Sequence, residues 1–187
     1  MNTRERIYEK ALALFTDRGY DVTPMSLVAK EVGLTKAGLY YYVYSKEHLL
    51  FLIHEYYLKK DFIPIVEQAE RISDPEDRLT YFIESYTRLL ARDPAPRVLI
   101  HEANRLAPEH YRIIRQIWKR GFDAIRDGIS DLAISGKGKK LNKTFAAFAA
   151  IGMCSWVFYW FDYFRRESAE ELSKNFAEIF LKGILKH

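Results

Sequence analysis

Apolar residues recur every three to four positions along almost the whole chain and nowhere alternate strictly with polar ones, which is the pattern of packed helices and not of strands. Residues 3–18 place Ile7, Ala11, Leu14 and Phe15 on one face, and Gly19 stops the run. Residues 23–50 read as two short helices around a glycine turn, and a further helix is expected over 46–60. Asp61, Pro64, Asp74-Pro75 and Pro94-Ala95-Pro96 punctuate the chain beyond it. A helix over about 75–91 turns Leu79, Phe82, Ile83, Tyr86, Leu89 and Leu90 inward, and one over about 108–134 does the same with Tyr111, Ile114, Trp118, Phe122, Ile125 and Ile129. Residues 135–140, SGKGKK, read as a flexible polar loop. Two final helices, 142–164 and 168–186, are joined by the charged turn Arg165-Arg166-Glu167. The predicted fold class is all-α.

The stretch TPMSLVAKEVGLTKAGLYYYVYSKEHLL, residues 23–50, carries the chemistry. Thr23 is expected to cap its first helix, with Pro24 pre-set for the first helical position. Leu27, Val28 and Val32 form the apolar stripe, and Gly33 supplies the left-handed exit. Leu34 follows as a buried plug, and Thr35 caps a second helix running to about Val43. That helix has only Leu39 and Val43 as an inward pair, while Ala37 and Gly38 permit close approach to another surface. Lys36 and the hydroxyls of Tyr40, Tyr41 and Tyr42 supply phosphate-directed donors. Ser45 caps the next helix, with Lys46 in a first turn suited to phosphate. Two short helices around a tight glycine turn make a helix-turn-helix, and the second helix is dressed as a recognition helix.

At Thr3, Ile7, Ala11, Leu14, Phe15, Gly19, Tyr20, Thr23, Val28, Ala29, Gly33, Leu34, Thr35, Lys36, Gly38, Leu39, Tyr40, Tyr41, Ser45, Lys46, Glu47, Leu49 and Leu50 the chain resembles the tetracycline-repressor (TetR) family of bacterial transcription regulators. It departs where the family usually has a His-Phe pair after the double tyrosine and this chain has Tyr42 and Val43, a difference that bears on base preference. The resemblance implies a DNA-binding domain over residues 1–50 and a ligand-binding and dimerisation domain over 51–187. The DNA contacts it implies fall on Thr23, Thr35, Lys36, Ala37, Gly38, Tyr40, Tyr41, Tyr42 and Lys46.

The last two helices carry more apolar surface than one packing stripe needs: Phe145, Phe148, Ile151, Trp156, Val157 and Trp160 surround the first, and Leu172, Phe176, Ile179 and Phe180 broaden the second. A helix apolar nearly all round must be covered on more than one side. A partner copy forming a four-helix interface fits, with Ala146, Ala147, Ala149, Ala150 and Gly152 allowing close approach. The family resemblance implies the same homodimer. Two recognition helices about 34–36 Å apart then reach successive major grooves, and the operator should be an imperfect palindrome.

Composition changes this picture little. The formal charge is +4, but residues 1–60 carry nine Lys/Arg against seven Asp/Glu and residues 61–187 twenty against eighteen, so net charge does not concentrate at the proposed DNA-binding end. Only local placement can supply an electrostatic footprint. The single cysteine, Cys154, rules out an intrachain disulfide and reads as a packing residue. No leader or spanning segment is visible, so the protein is expected in the cytoplasm and not at a membrane. The histidines have no metal-ligand spacing, and no nucleophile turn or phosphate loop is present; no metal, cofactor or catalysis is expected.

Trp118, Phe122, Trp156, Tyr159 and Trp160 are expected to line a cavity for a hydrophobic effector, although each reads equally as core. The segments HEANRLAPEHYRII, GMCSWVFYWF and ESAEELSKNFAEIFLKGI are similar to the TetR-like repressors of fatty-acid or acyl-CoA catabolism. That resemblance implies an acyl-CoA effector, with Arg105 among the cations available to its phosphates. The expected function is a homodimeric repressor of a palindromic double-stranded DNA operator, released by such an effector. The alternatives are a regulator sensing a lipophilic cation or drug, and a helical lipid- or acyl-binding protein without DNA binding.

Overall fold

The computed structural model describes residues 2–92, 95–161 and 168–186, and no strand occurs among them. The chain divides into two compact units, one comprising Met1–Leu58 and Pro94–Arg115, the other Lys59–Asp93 and Gln116–His187. Compactness thus groups residues 51–58 and a later segment with the N-terminal helices, where the division by role was expected after residue 50.

The first unit contains α1 (Thr3–Arg18), α2 (Met25–Glu31), α3 (Lys36–Tyr40), α4 (Lys46–Tyr57), α7 (Ala95–Glu102), a 3₁₀ turn (Ala103–Arg105) and the start of α8 (Pro108–Ile134). Helix α1 opens with a reciprocal cap between Asn2 and Glu5, which the periodicity alone did not reveal. Ile7, Ala11 and Phe15 bury its inward face against a core completed by Val28, Leu39, Val43, Leu49, Leu50 and Ile53. Gly33 takes φ +69°, the left-handed exit that lets α2 turn into α3. Leu34 is only half-buried and does not plug the core as expected. Pro96 does not interrupt α7: it occupies the first turn, where a missing N–H costs no hydrogen bond. Pro94, also expected to punctuate there, lies outside the described residues.

The second unit contains α5 (Ile63–Glu70), α6 (Pro75–Arg92), the rest of α8, α9 (Lys143–Ser155), α10 (Val157–Trp160) and α11 (Ala169–Ile184). Asp74 caps α6 through the N–H groups of Glu76 and Asp77 at 2.9 and 3.1 Å. Helix α6 packs on α5, α9 and α11 through Leu79, Phe82, Ile83 and Leu90. On α8 the buried stripe runs through Gly121, Ile125, Gly128, Ile129 and Leu132, so Trp118 and Phe122 flank it half-buried. A Cβ at Gly121 would lie 2.3 Å from Cζ of Phe62, so only glycine lets that ring seat against the helix.

Three expected boundaries move. The helix predicted to run to residue 60 is α-helical only to Tyr57 and loosens into a π-turn, Leu58–Phe62, before α5 begins at Ile63 with Pro64 in its first turn. The helix predicted over 142–164 breaks at Trp156, and its expected end at Phe164 and the turn Arg165-Arg166-Glu167 lie outside the described residues. The loop 135–140 is pinned: Gly138 N–H donates to Leu132 at 2.9 Å, Lys139 N–H to Ile184 at 2.7 Å, and Lys137 pairs with Asp74 at 3.1 Å.

Helices α9 and α11 leave an uncovered apolar face. Phe145, Phe148, Trp156 and Ile179 are 71%, 59%, 62% and 62% exposed, and nothing lies within 4 Å of a Cβ built at Gly152 or Gly183.

Candidate nucleic-acid interface

Helix α3 is shorter than expected, five residues instead of about eight, because the chain already turns at Tyr41 and Tyr42. Thr35 caps it, its Oγ1 accepting the Gly38 N–H at 3.0 Å. A side chain at Gly38 would come within 3.2 Å of that oxygen, so the glycine has a capping reason as well as a docking one. Leu39 and Val43 are fully buried and fix which side faces outward. That side presents Lys36, Ala37 and Tyr40, followed by Tyr41 and Tyr44 at 83% and 82% exposure, with Tyr42 half-buried against Tyr41. Exposed hydroxyls and an ammonium around a small-residue patch can donate to phosphates and base edges.

Two expected contacts turn inward instead. Thr23 does not cap α2, whose N-cap is Pro24 without a side-chain bond. It is fully buried, and its hydroxyl donates to the Gly19 carbonyl at 2.8 Å, tying down the loop after α1. Lys46 donates to the carbonyls of Tyr20 and, at 3.1 Å, Asp21, with its ammonium 4.4 Å from the centre of the Tyr20 ring. Burial lowers its pKa, and Asp21 opposes the shift. Burial and the neighbouring Glu47 also push the Tyr20 hydroxyl up to about 12. Lys46 therefore straps the α1–α2 loop through two of its three N–H donors. Ser45 does cap α4, accepting the His48 N–H at 2.9 Å.

Behind this surface lies a polar and aromatic layer that sequence spacing did not single out. The Tyr44 ring stacks on His48 at 4.6 Å and 10°, and the Tyr44 N–H donates to His48 Nδ1 at 3.1 Å. Burial, then His110, lowers the His48 pKa against the pull of Glu47. Glu47 accepts from the Ala107 N–H and His110 Nδ1, both at 2.8 Å. Its partners are some sixty residues away, so no local signal pointed to them.

The residues expected to bind the effector fall in both units, Arg105 in the first and the five aromatics in the second. Arg105 belongs to the first unit, where its guanidinium grips Asp21 at 2.8 and 2.6 Å and also pairs with Glu102. In the second unit Phe122 packs on Phe148 at 4.8 Å, Trp160 lies 6.3 Å from Phe176, and the exposed Trp156 ring meets Tyr159 at 4.5 Å, tilted by 43°. A groove of about 380 Å³ in that unit is lined by charged residues including Arg78, Arg120 and Asp127 and by none of the five aromatics.

Residues 7–53 match the bacterial regulatory proteins of the tetR family, and residues 73–184 match the tetracyclin repressor-like C-terminal domain. The chain belongs to the TetR family. Among curated relatives it is 40% identical to the HTH-type transcriptional regulator YuxN of Bacillus subtilis (strain 168) over 76 residues, 40% of this chain and 26% of that protein. It is 39% identical over 46 residues, a quarter of each chain, to IcaR of Staphylococcus aureus (strain Newman), the negative transcriptional regulator of the biofilm operon icaADBC. The chain spans about a quarter of the length of these curated relatives. Among solved structures it is similar to AibR in complex with isovaleryl coenzyme A and operator DNA, at 27% identity and a TM-score of 0.88, covering 95% of this chain and 97% of that one. TetR-family proteins are regulatory proteins, and the all-helical fold with an N-terminal helix-turn-helix is the family's. Among the described residues no helix is long and apolar enough to cross a membrane.

Proposed function

We propose that this TetR-family protein is a transcriptional repressor that binds a palindromic operator as a homodimer and is released by an acyl-CoA. The observation that carries the DNA half is the α3 surface: Lys36, Ala37, Tyr40 and Tyr41 face solvent while Leu39 and Val43 lock the helix from behind. Thr35, Gly38 and Tyr42 border the same surface, whereas Thr23 and Lys46 hold the α1–α2 loop in place behind it. The exposed Phe145, Phe148, Trp156 and Ile179 face is the proposed dimer contact, since large uncovered apolar patches mark partner surfaces. Repression and the acyl-CoA effector are supported by IcaR, named a negative regulator, and by AibR, solved with isovaleryl coenzyme A and operator DNA. The effector acts by binding better to a form with misplaced recognition helices, because equal affinity for both forms shifts nothing. On this reading the protein works in the cytoplasm and carries no catalytic function.

A gel-shift titration on the DNA upstream of the protein's own gene, at two salt concentrations and with isovaleryl-CoA and a long-chain acyl-CoA in parallel lanes, tests both halves. A sequence-selective shift that weakens with salt and disappears with either acyl-CoA is expected. A selective shift that both leave untouched removes the acyl-CoA effector. Absence of a selective shift there and across genomic fragments removes operator binding.

A further inference from the structure

Helix α4 begins directly after the recognition helix, with only residues 41–45 between them, so whatever holds its first turn also holds α3. That turn is not held by apolar packing alone. Glu47, its second residue, sends a carboxylate to the amino end of α8, where it accepts the Ala107 N–H at 2.8 Å and His110 Nδ1 at 2.8 and 3.1 Å. Ala107 is the residue on which α8 starts, its carbonyl accepting the Tyr111 N–H at 2.8 Å. The His110 ring lies flat on Phe51, one turn along α4, at 4.1 Å and 6°, which fixes the imidazole in the orientation Glu47 needs. A second tie lies further along α4, where buried His54 contacts the Leu99 carbonyl of α7 through Nε2 at 2.6 Å. From the same first turn, His48 holds the Tyr44 main chain and stacks on its ring at the exposed surface. One carboxylate therefore joins the start of a 27-residue helix to the segment that carries the exposed tyrosines.

We propose that Glu47 is a positioning residue for operator recognition: it sets the placement of the recognition helix by fastening the first turn of α4 to the amino end of α8. It touches no DNA itself. The proposal rests on the reading of this protein as an operator-binding regulator. Losing the fastening should leave the DNA-contacting side chains and their charge intact while loosening where they stand. Such a change lowers selective binding and spares the salt-driven attraction to any duplex.

The test uses the full chain, a duplex that the wild-type protein selects from random-sequence DNA, and an unrelated duplex of the same length. Glu47→Ala is expected to lose about tenfold or more in affinity for the selected duplex and to stay within about twofold on the unrelated one. Glu47→Gln preserves the reach to Ala107 and should recover most of the selectivity. Glu47→Asp preserves the charge but withdraws it by one methylene, should behave like Glu47→Ala, and serves in its place if that variant does not fold. Equal losses on both duplexes would reduce Glu47 to a stability contact and overturn the proposal, as would unchanged selectivity in Glu47→Ala or in Glu47→Asp. A wild-type protein that selects no duplex refutes the regulator reading and the proposal together, whereas wild-type selectivity indifferent to Glu47 sinks the proposal alone.

Discussion

Tyr41 and Tyr44 beside α3 are 83% and 82% exposed and Phe145 and Trp156 of the proposed dimer face 71% and 62%, yet the two surfaces offer different chemistry. The tyrosines end in hydroxyls, and His48 stacks on the Tyr44 ring and accepts its main-chain N–H. The α9 face consists of hydroxyl-free rings at helical spacing around Gly152, with Ile179 and Gly183 on α11, and gains most by excluding water. Exposure alone does not distinguish a DNA surface from a dimer surface. What the ring carries, and what stands behind it, does.

The hardest way to break this comparison is to charge the apolar face. Phe148→Glu should convert the dimer to monomer in sedimentation analysis and cut operator affinity by about 100-fold or more, because two linked half-sites become two independent ones. A dimer that survives this change would move the interface elsewhere. Next in size, Lys36→Ala and Tyr41→Ala should each weaken the selected operator by about 5- to 100-fold while leaving the dimer and the melting temperature near wild type. Dissociated dimers in either variant would show that the two surfaces are not separate.

The smallest effect concerns the interior of the first unit. Burial lowers the pKa of His54, outweighing the pull of the Leu50 and Leu99 carbonyls and of Glu102. The folded state therefore resists protonation that the unfolded chain accepts near pH 6.5, so the His54 contribution is present above that pH and is lost as pH falls toward the lower folded value. Thermal melts from pH 8 to 5 should show the wild-type melting temperature declining more steeply than that of His54→Gln; parallel slopes would exclude His54 as a source of the decline.

What could be read from the chain were features whose cause lies within a few residues. Gly19 and Gly33 stop helices through their own freedom at positive φ, and Thr35 and Ser45 cap helices through N–H groups three positions on. Leu39 and Val43 face inward because one turn separates them. Thr23, Lys46 and Arg105 find their acceptors elsewhere than their own helix starts suggest. Thr23 and Lys46 satisfy carbonyls in the loop after α1, and Arg105 is held by Asp21, 84 residues away in sequence. Long cationic side chains reach many alternatives, and only the fold decides which acceptor is near.

By itself, then, the sequence determined the helical class, the helix-turn-helix, the outward side of the recognition helix and an apolar surplus on α9 and α11, since periodicity, caps and glycine conformations are short-range physics. Tertiary structure alone decided that α4 is tied to Ala107 and His110, that the helix breaks at Trp156, and that Phe122 packs on Phe148. Those outcomes depend on which distant backbone groups arrive within hydrogen-bond reach once the cores of both units have closed, and spacing along one chain does not encode that separately.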